Sequence, residues 1–500
     1  MAGEATVVSI ELFTGLLAAA VLVALVSRRF GTPYSLALVL FGLAVATLLP
    51  DLAFTVTPEL VLLVLLLGLV FEAAFQTDLT SLRRTFGGVV LLAIPGVLVT
   101  AAVVAIALHL ATGLPLELAF VVGAMVSATD PIAVIATFKR LGTSRRLSTL
   151  VEGESLFNDG TAIVVFAIAL QAVNGRVTVG DAVVSFILTL AGSTLIGGVA
   201  GFAASRVVAH VDDHLIETTI SVLVAYGTYV IADALHESGV IATVVAGLTL
   251  GTYGRRIGMS ARTQEAIDTV WEFLSFVLTA LVFLLVGLAI TASDLVDAAP
   301  AIAVGIVAVL GGRALVIYGM LGGAALVIRR RERGLPRGWL HVLFWFGLRG
   351  AVAVALALSL PTNVPQRSLL QAITFGIVLF TLIVQGGTID WVVRKALGSG
   401  ADQAGADRAA DESRHAMTEM ILAAGLMKSC GKRRSSAGLD LEARPGETWR
   451  SRSRELGHAH RTPAGSPRAR AARLLADGRR ACRRSASRED GSAQRGRSAR

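Results

Sequence analysis

A short polar run inside an apolar segment, 121-VVGAMVSATDPIAVIATF-138, has the residue types that could hold a small cation. Pro131 lacks a backbone donor and disfavours α geometry at the residue before it, so a helix through this segment should break at Thr129–Asp130. Backbone carbonyls freed within a membrane are tolerated only where they line protein or a hydrated cavity. A carboxylate beside such carbonyls is a hard-oxygen site.

A second polar run, 151-VEGESLFNDGTAIVVF-166, follows directly. Ser155 and Asp159 are four residues apart and share one helix face, and Glu154 and Asn158 share an adjacent face. The alternative to a cation site is a structural set of interhelical hydrogen bonds. However, an ionisable group in a span costs about 2.5–3.5 kcal/mol on insertion scales, which makes each such group a functional candidate.

Further ionisable side chains lie in apolar segments, among them Arg313, Arg349 and Glu72. Arg349 is bracketed by Gly347 and Gly350, and this glycine pair indicates a second helix break. A buried guanidinium needs a carboxylate or several carbonyls, and we expect Glu154 to be the partner because Asp159 is then left for an ion. Glu72 is a third intramembrane acid, or else a residue near the cytoplasmic end of its span with a hydrated head.

The elements that carry these residues must be membrane-spanning helices. The chain has 500 residues, of which 54% are apolar and 16% charged, whereas soluble chains have about 45–50% and about 25%. Mean hydropathy is +0.69. The composition therefore predicts an all-α polytopic membrane protein. No G-x-x-x-x-G-K-[ST] motif is present, which argues against ATP-driven pumping.

Hydropathy predicts about thirteen spans, each close in length to the ~20 residues that a bilayer crossing needs. A count of twelve is the alternative. They lie at 7–27, 34–50, 57–76, 86–111, 117–138, 151–173, 181–207, 218–235, 237–254, 269–291, 300–328, 338–360 and 368–393.

Basic residues are sorted between alternate loops. One set of loops holds 17 of them and the intervening loops hold two, Arg176 and Arg367. Because positively charged loops stay in the cytoplasm, the N-terminus should lie outside and the C-terminus inside the plasma membrane. The 17 are Arg28, Arg29, Arg83, Arg84, Lys139, Arg140, Arg145, Arg146, Arg206, Arg255, Arg256, Arg262, Arg329, Arg330, Arg331, Arg333 and Arg337.

The net charge of +9 belongs to the end of the chain. Residues 1–400 carry 23 Lys and Arg against 24 Asp and Glu, while residues 401–500 carry 22 against 12. The charge is therefore no sign of a nucleic-acid partner. We divide the chain into a transmembrane domain, 1–397, and a basic cytoplasmic tail, 398–500, whose composition predicts disorder. Binding to anionic lipid and an out-of-frame extension are the alternatives for the tail.

Three motifs, 129-TDP-131, 152-EGESLFNDG-160 and 347-GLRGAVAVALAL-358, closely resemble the NhaP/NHE-like branch of the monovalent cation:proton antiporters. The likeness extends over about residues 10–395. It implies a homodimer in the lipid bilayer, thirteen spans with an inverted repeat, and two broken helices that cross at mid-membrane. Those helices would be the spans that hold Asp130 and Arg349.

The resemblance also implies roles for individual residues. Asp159 resembles the family's essential ion- and proton-binding aspartate, and Asn158 its neighbour in an Asn-Asp pair. Glu154 and Arg349 resemble a structural ion pair. The further positions of the site for the transported Na⁺ are Asp130, Thr129, Ser155 and, as a third acid, Glu72.

The implied activity is secondary active exchange of Na⁺ or Li⁺ for H⁺, in the service of pH and sodium homeostasis. The Asn-Asp pair resembles the electroneutral branch, so we expect one cation to exchange for one proton. Such a protein is a transporter rather than an enzyme, and it needs no cofactor. A K⁺/H⁺ antiporter on the same scaffold is the alternative, and a tail-gated cation channel or sensor is a more remote one.

Overall fold

The computed structural model describes residues 2–30, 34–48, 65–173, 175, 178–289, 291–323 and 337–397. The predicted tail, 398–500, lies outside the described residues. So do residues 57–64 of the predicted span 57–76 and the four arginines between 329 and 333.

Every regular element in the described part of the chain is helical. Three π-helical turns, Leu250–Gly254, Leu315–Leu321 and Thr381–Gly386, continue α11, α15 and α18. The helices are α1 (Ala2–Phe30), α2 (Tyr34–Leu48), α3 (Leu67–Gln76), α4 (Leu79–Ala93), α5 (Pro95–Thr112), α6 (Leu116–Met125), α7 (Ile132–Leu141), α8 (Arg145–Val173), α9 (Val179–Val208), α10 (His214–Ala234), α11 (Gly239–Thr249), α12 (Arg255–Ile257), α13 (Ala261–Leu288), α14 (Ala292–Asp297), α15 (Ala299–Ala314), α16 (Arg337–Trp345), α17 (Ala351–Leu358), α18 (Arg367–Phe380) and α19 (Gly387–Leu397).

Local sequence signals fix several helix ends. The Asp78 side chain accepts a 2.9 Å hydrogen bond from the Thr80 amide and so caps α4. Ser260 caps α13 in the same way. Gly142 ends α7 in the left-handed region, with φ of 64°, where glycine carries no Cβ penalty.

Small residues let the helices approach closely. Gly247 in α11 packs on α3, where an added Cβ would lie 2.9 Å from the Ala74 Cβ and 3.1 Å from the Phe71 carbonyl oxygen. Gly42 of α2 meets Gly287 of α13 with equally little room, since a Cβ on either would lie 2.9 Å from the other's Cα. Close backbone approach of this kind is the usual way in which helices associate in a bilayer.

Seven helical stretches in the described residues are long and apolar enough to cross a membrane, and four shorter apolar helices accompany them. The stretch that starts at Gly180 in α9 has only 11% of its most apolar window buried. Its exposed Val, Leu, Ile and Phe side chains suit contact with lipid or with another chain. The described part of the protein is therefore a multi-pass helical membrane protein.

Candidate cation-binding site

Two apolar helices are interrupted in the middle. The first stops with α6 at Met125 and resumes with α7 at Ile132, directly after Pro131. The second stops with α16 at Trp345 and resumes with α17 at Ala351, directly after Gly350. Each interruption lies where the sequence places its proline or glycines, and each leaves backbone groups that need partners.

The two interruptions meet and bind each other. The Asp130 amide donates a 2.9 Å hydrogen bond to the Leu348 carbonyl oxygen. The Asp130 side chain lies directly against the Cα of Gly350, where an added Cβ would come within 2.6 Å of the Asp130 Cγ. Gly350 is thus required by a close approach to Asp130.

Arg349 supplies the missing donors for the first interruption. Its side chain is buried, and Nη1 donates to the carbonyl oxygens of Ser127 and Ala128, each at 3.2 Å. Its own amide donates to Thr381 Oγ1 at 3.0 Å. The guanidinium therefore lies at the carboxyl end of α6, where a positive charge interacts favourably with the helix dipole. The carboxylate of Asp130 lies at the amino end of α17, where a negative charge interacts favourably with the dipole of that helix.

The predicted pair of Glu154 with Arg349 is corrected by the structure. Glu154 forms a buried ion pair with Arg313 of α15, through Nη1 and through Nη2 at 3.1 Å. Arg313 also donates from Nε and Nη2 to the Leu343 carbonyl oxygen, at 3.1 and 2.8 Å. Arg349 is instead held by carbonyls, the second kind of partner that a buried guanidinium can use.

Two polar residues of α8 hold the first interruption at Thr129. Asn158 Nδ2 donates to Thr129 Oγ1 at 2.6 Å, and Asn158 Oδ1 accepts from the Thr129 amide at 3.4 Å. Ser155 Oγ donates to the Thr129 carbonyl oxygen. All three residues are buried. These bonds fix the backbone immediately before Asp130.

A cavity of about 560 Å³ opens beside the two interruptions. The side chain of Asp159 reaches it, and its Oδ1 atom is buried without a hydrogen-bond partner. Asn158 does not line this cavity, so its side chain serves Thr129. The other predicted site residues in the wall are Glu72, Thr129, Asp130 and Ser155, together with Pro131 and Gly350.

The wall of this cavity is acidic. Glu72, Asp130, Glu152 and Asp159 contribute to it, and none of the described residues that line it is Lys, Arg or His. Such a surface attracts cations and repels anions. Carboxylate, hydroxyl and carbonyl oxygens are the ligands that hard cations prefer.

A second cavity, of about 350 Å³, lies next to the first. The two cavities share Gln76 and Glu152. The second one is lined by residues near the ends of α3 and α7, at the start of α4 and in the first turns of α8. Among them are Asp78 and Arg145, whose side chains are 3.1 Å apart. Burial opposes the charge of Asp78, but hydrogen bonds from Ser81 and Thr80 and the charge of Arg145 outweigh it and lower its pKa.

Sequence reasoning missed several of these contacts. Arg313 was visible as an arginine inside a span, and that signal could have marked it as a second candidate partner for Glu154. Thr381, which binds the backbone of Arg349, carries no signal of its own because threonines are common in apolar helices. Glu152 lies in the same motif as Asp159, yet its position in both cavities is visible only in three dimensions.

Interrupted helices that meet at their breaks, beside an acidic cavity in a multi-pass helical fold, define an ion-coupled secondary transporter. Comparison with known proteins makes this specific. The sequence model of the family described as "Sodium/hydrogen exchanger, transmembrane" matches residues 16–395. This chain belongs to the sodium/hydrogen exchanger family.

The chain is also similar to individual antiporters in sequence and to one solved antiporter structure in fold. The chain is 40% identical to the Na(+)/H(+) antiporter ApNhaP of Aphanothece halophytica over 377 residues, which cover 74% of this chain and 71% of that protein. It is 38% identical to the Na(+)/H(+) antiporter NhaH of Halobacillus dabanensis over 397 residues, which cover 76% and 96%. The sodium proton antiporter MjNhaP1 from Methanocaldococcus jannaschii has a similar fold, with a TM-score of 0.67, 22% identity and coverage of 79% of this chain and 99% of that one.

Proposed function

We propose that this chain exchanges Na⁺ or Li⁺ for H⁺ across the plasma membrane and so serves pH and sodium homeostasis. The observation that carries the proposal is Asp159, a carboxylate with one buried, unpartnered oxygen in a cavity of acidic character. The relatives ApNhaP and NhaH, both described as Na(+)/H(+) antiporters, support the choice of ions.

The exchange follows from competition at one carboxylate. A proton or a cation can neutralise Asp159, and the binding of one displaces the other. An ionised carboxylate without a bound ion has a high free energy in a poorly hydrated site. The conformational change that exposes the site to the other side of the membrane therefore occurs only when Asp159 holds a proton or a cation. This condition couples the two fluxes. Thr129, Ser155, Asp130 and Glu72 supply further oxygen ligands around the same cavity.

We propose a stoichiometry of one cation for one proton. Asn158 cannot take up a proton as a second acid would, and both ends of its amide bind Thr129. Asp130 has a structural role at the amino end of α17, where its negative charge interacts favourably with the dipole of that half-helix. One titrating carboxylate then carries either ion, and no net charge moves in a cycle.

The proposed molecule is a homodimer of thirteen-span protomers with an inverted repeat, an external N-terminus and a cytoplasmic C-terminus that continues into the tail. The second cavity opens among Gly142, Thr143 and Arg145, at the end of the molecule where the sequence places a cluster of basic loop residues. Since basic loops stay in the cytoplasm, the position of this opening supports an inward-facing state. The interrupted helices would then move together to expose Asp159 to the other side.

Dissipation of a pH gradient in everted membrane vesicles tests the proposal. Na⁺, Li⁺ and K⁺ are added in turn at slightly acidic, neutral and slightly alkaline pH, with and without a clamped membrane potential. We expect Na⁺ and Li⁺ to dissipate the gradient at a rate that the potential does not change. A preference for K⁺ would assign a K⁺/H⁺ antiporter, and current without proton counterflow would assign a channel.

The site is tested by Asp159→Ala and Asp159→Asn in the full chain. Each should abolish exchange while expression and the elution profile in detergent stay normal. The matched control is Asp294→Asn, an exposed acid in the first turn of α14 that lines neither cavity. Exchange that persists in folded Asp159→Ala protein would refute the assignment.

A further inference from the structure

The last turn of α19 carries an exposed basic pair, Arg394 and Lys395. Among the described residues, neither of these side chains forms an ion pair. The acid of the same helix, Asp390, is instead paired with Arg140 of α7. Two positive charges at this end of α19 are therefore left without a neutralising acid in the described part of the chain.

An aromatic strip lies beside the basic pair. Lys395 Nζ lies over the ring of Trp391, 4.7 Å from its centroid. One turn before Trp391, Thr388 Oγ1 accepts a 2.9 Å hydrogen bond from Trp345 Nε1 of α16. From Trp345 onwards, successive rings have centroids 5.5–6.2 Å apart and reach the π-helical continuation of α15. The rings of the aromatic strip are those of Trp391, Trp345, Phe344, Tyr318 and His341.

The aromatic strip marks the level of a membrane interface. Tryptophan and tyrosine are enriched at that level because their rings are apolar and carry one polar group. On one side of the strip the exposed side chains are apolar: Leu315 lies one turn before Tyr318. Ile383, also exposed, lies two turns before Trp391. On the other side, Lys395 follows Trp391 by about 6 Å along the helix axis, which is the depth of lipid phosphates.

We propose that this surface binds an anionic phospholipid of the leaflet at this end of the protein, which is the cytoplasmic leaflet in the proposed orientation. Arg394 and Lys395 would hold the phosphate. Trp391 and Trp345 would pack against the glycerol and ester region, and an acyl chain would lie along Ile383. The inference goes beyond the proposed ion exchange and does not depend on it.

Charge selects this occupant. An anionic headgroup complements the two positive charges, whereas a zwitterionic headgroup brings an ammonium group that they repel. A second copy of this chain in a symmetric contact would place the same basic pair against itself. The surface therefore fits an anionic lipid better than either of these.

Quenching of Trp391 fluorescence by brominated lipid tests the proposal. Trp391 is 62% exposed, whereas Trp271 and Trp339 are buried. The full chain is reconstituted in phosphatidylcholine vesicles with a minor fraction of phosphatidylglycerol, and either one lipid or the other carries the bromine. The part of the quenching that Trp391→Phe removes belongs to this site. We expect it to show enrichment of phosphatidylglycerol over the bulk mixture, and the enrichment should shrink when salt screens the charges.

Removal of the basic pair should remove this preference. In the double variant Arg394→Gln/Lys395→Gln, the enrichment should fall about fivefold or more, since each basic residue at the membrane surface contributes about that factor. Lys395→Arg keeps the charge and should keep the enrichment. The matched control, Arg83→Gln/Arg84→Gln, removes another exposed basic pair, in α4, and should also keep it.

Three results would overturn the inference. The first is no enrichment of phosphatidylglycerol at Trp391 in the unaltered chain. The second is an equal loss in the α4 control, which would indicate a general attraction of anionic lipid. The third is no quenching of Trp391 by either lipid, which would indicate that another copy or the tail covers this face. Ion exchange is measured separately, so its failure would leave the lipid result standing.

Discussion

Glu154 is paired with Arg313, and the partner that the sequence favoured, Arg349, binds the carbonyls of the other interrupted helix. Two arginines inside spans thus have two different tasks. Arg313 joins α15 to α8 and, through the Leu343 carbonyl, to α16. Arg349 joins the two interruptions themselves. Both side chains are buried, so neither task can be taken over by water.

Breaking the Glu154–Arg313 pair should destabilise the protein strongly. Glu154→Gln or Arg313→Gln leaves one buried charge without its partner, and such a change costs about 3–5 kcal/mol. The double variant should be less damaging than the sum of the two single variants, since it leaves no unpaired charge. The stability of each variant is measured by heating it in detergent and recording the loss of the monodisperse elution peak. If the double variant is as unstable as the sum, the two side chains do not interact.

Much of the site is readable in sequence because local chemistry dictates it. Pro131 cannot continue a hydrogen-bonded helix, and the four-residue spacing puts Ser155 and Asp159 on one face whatever surrounds them. The predicted interruptions therefore coincide with those of the structure. The number of spans among all residues and the dimer stay predictions, because parts of the chain lie outside the described residues.

The sequence does not show which of two equivalent side chains becomes the partner of a buried polar group. Glu154 had two arginines available within apolar segments, and only the packing of α15 against its neighbours decides which guanidinium reaches it. Asn158 is a similar case. Its position beside Asp159 in sequence suggests a shared task, yet the helix turns its amide towards Thr129. Neighbouring residues on a helix face in different directions, so adjacency in sequence does not give adjacency in the site.

Removing the hydroxyl of Thr381 should weaken the second interruption. In Thr381→Val the Arg349 amide loses its acceptor, and an unsatisfied buried amide costs about 1–3 kcal/mol. The matched control is Thr374→Val on the same helix. Its hydroxyl is also buried, but it only donates back to the Leu370 carbonyl oxygen one turn earlier. We expect lower thermal stability and slower exchange in Thr381→Val than in the control. Equal effects would show that the bond to Arg349 contributes nothing.

A methyl group at Gly350 should disable transport. The Cβ in Gly350→Ala would come within 2.6 Å of the Asp130 Cγ, so the Asp130 side chain or the backbone must move. Gly311→Ala in α15 is the control, because nothing lies within 4 Å of its added Cβ and alanine favours the helix. We expect a loss of at least about tenfold in the exchange rate for Gly350→Ala, which corresponds to about 1.4 kcal/mol in the barrier. Gly311→Ala should exchange normally, and full activity in both variants would contradict the close approach.

Asn158→Asp tests whether this position can ever carry a transported charge. The new carboxylate would point at the Thr129 hydroxyl and amide, away from the cavity, and it would lose the bond that Asn158 Nδ2 donates to Thr129 Oγ1. We therefore expect slower exchange and lower stability, with exchange still unaffected by a clamped membrane potential. Asn158→Ala serves as the comparison, since it removes both bonds to Thr129 without adding a charge. Exchange by Asn158→Asp that becomes sensitive to the potential would show that position 158 faces the ion, and the proposed one-for-one stoichiometry would then depend on the asparagine itself.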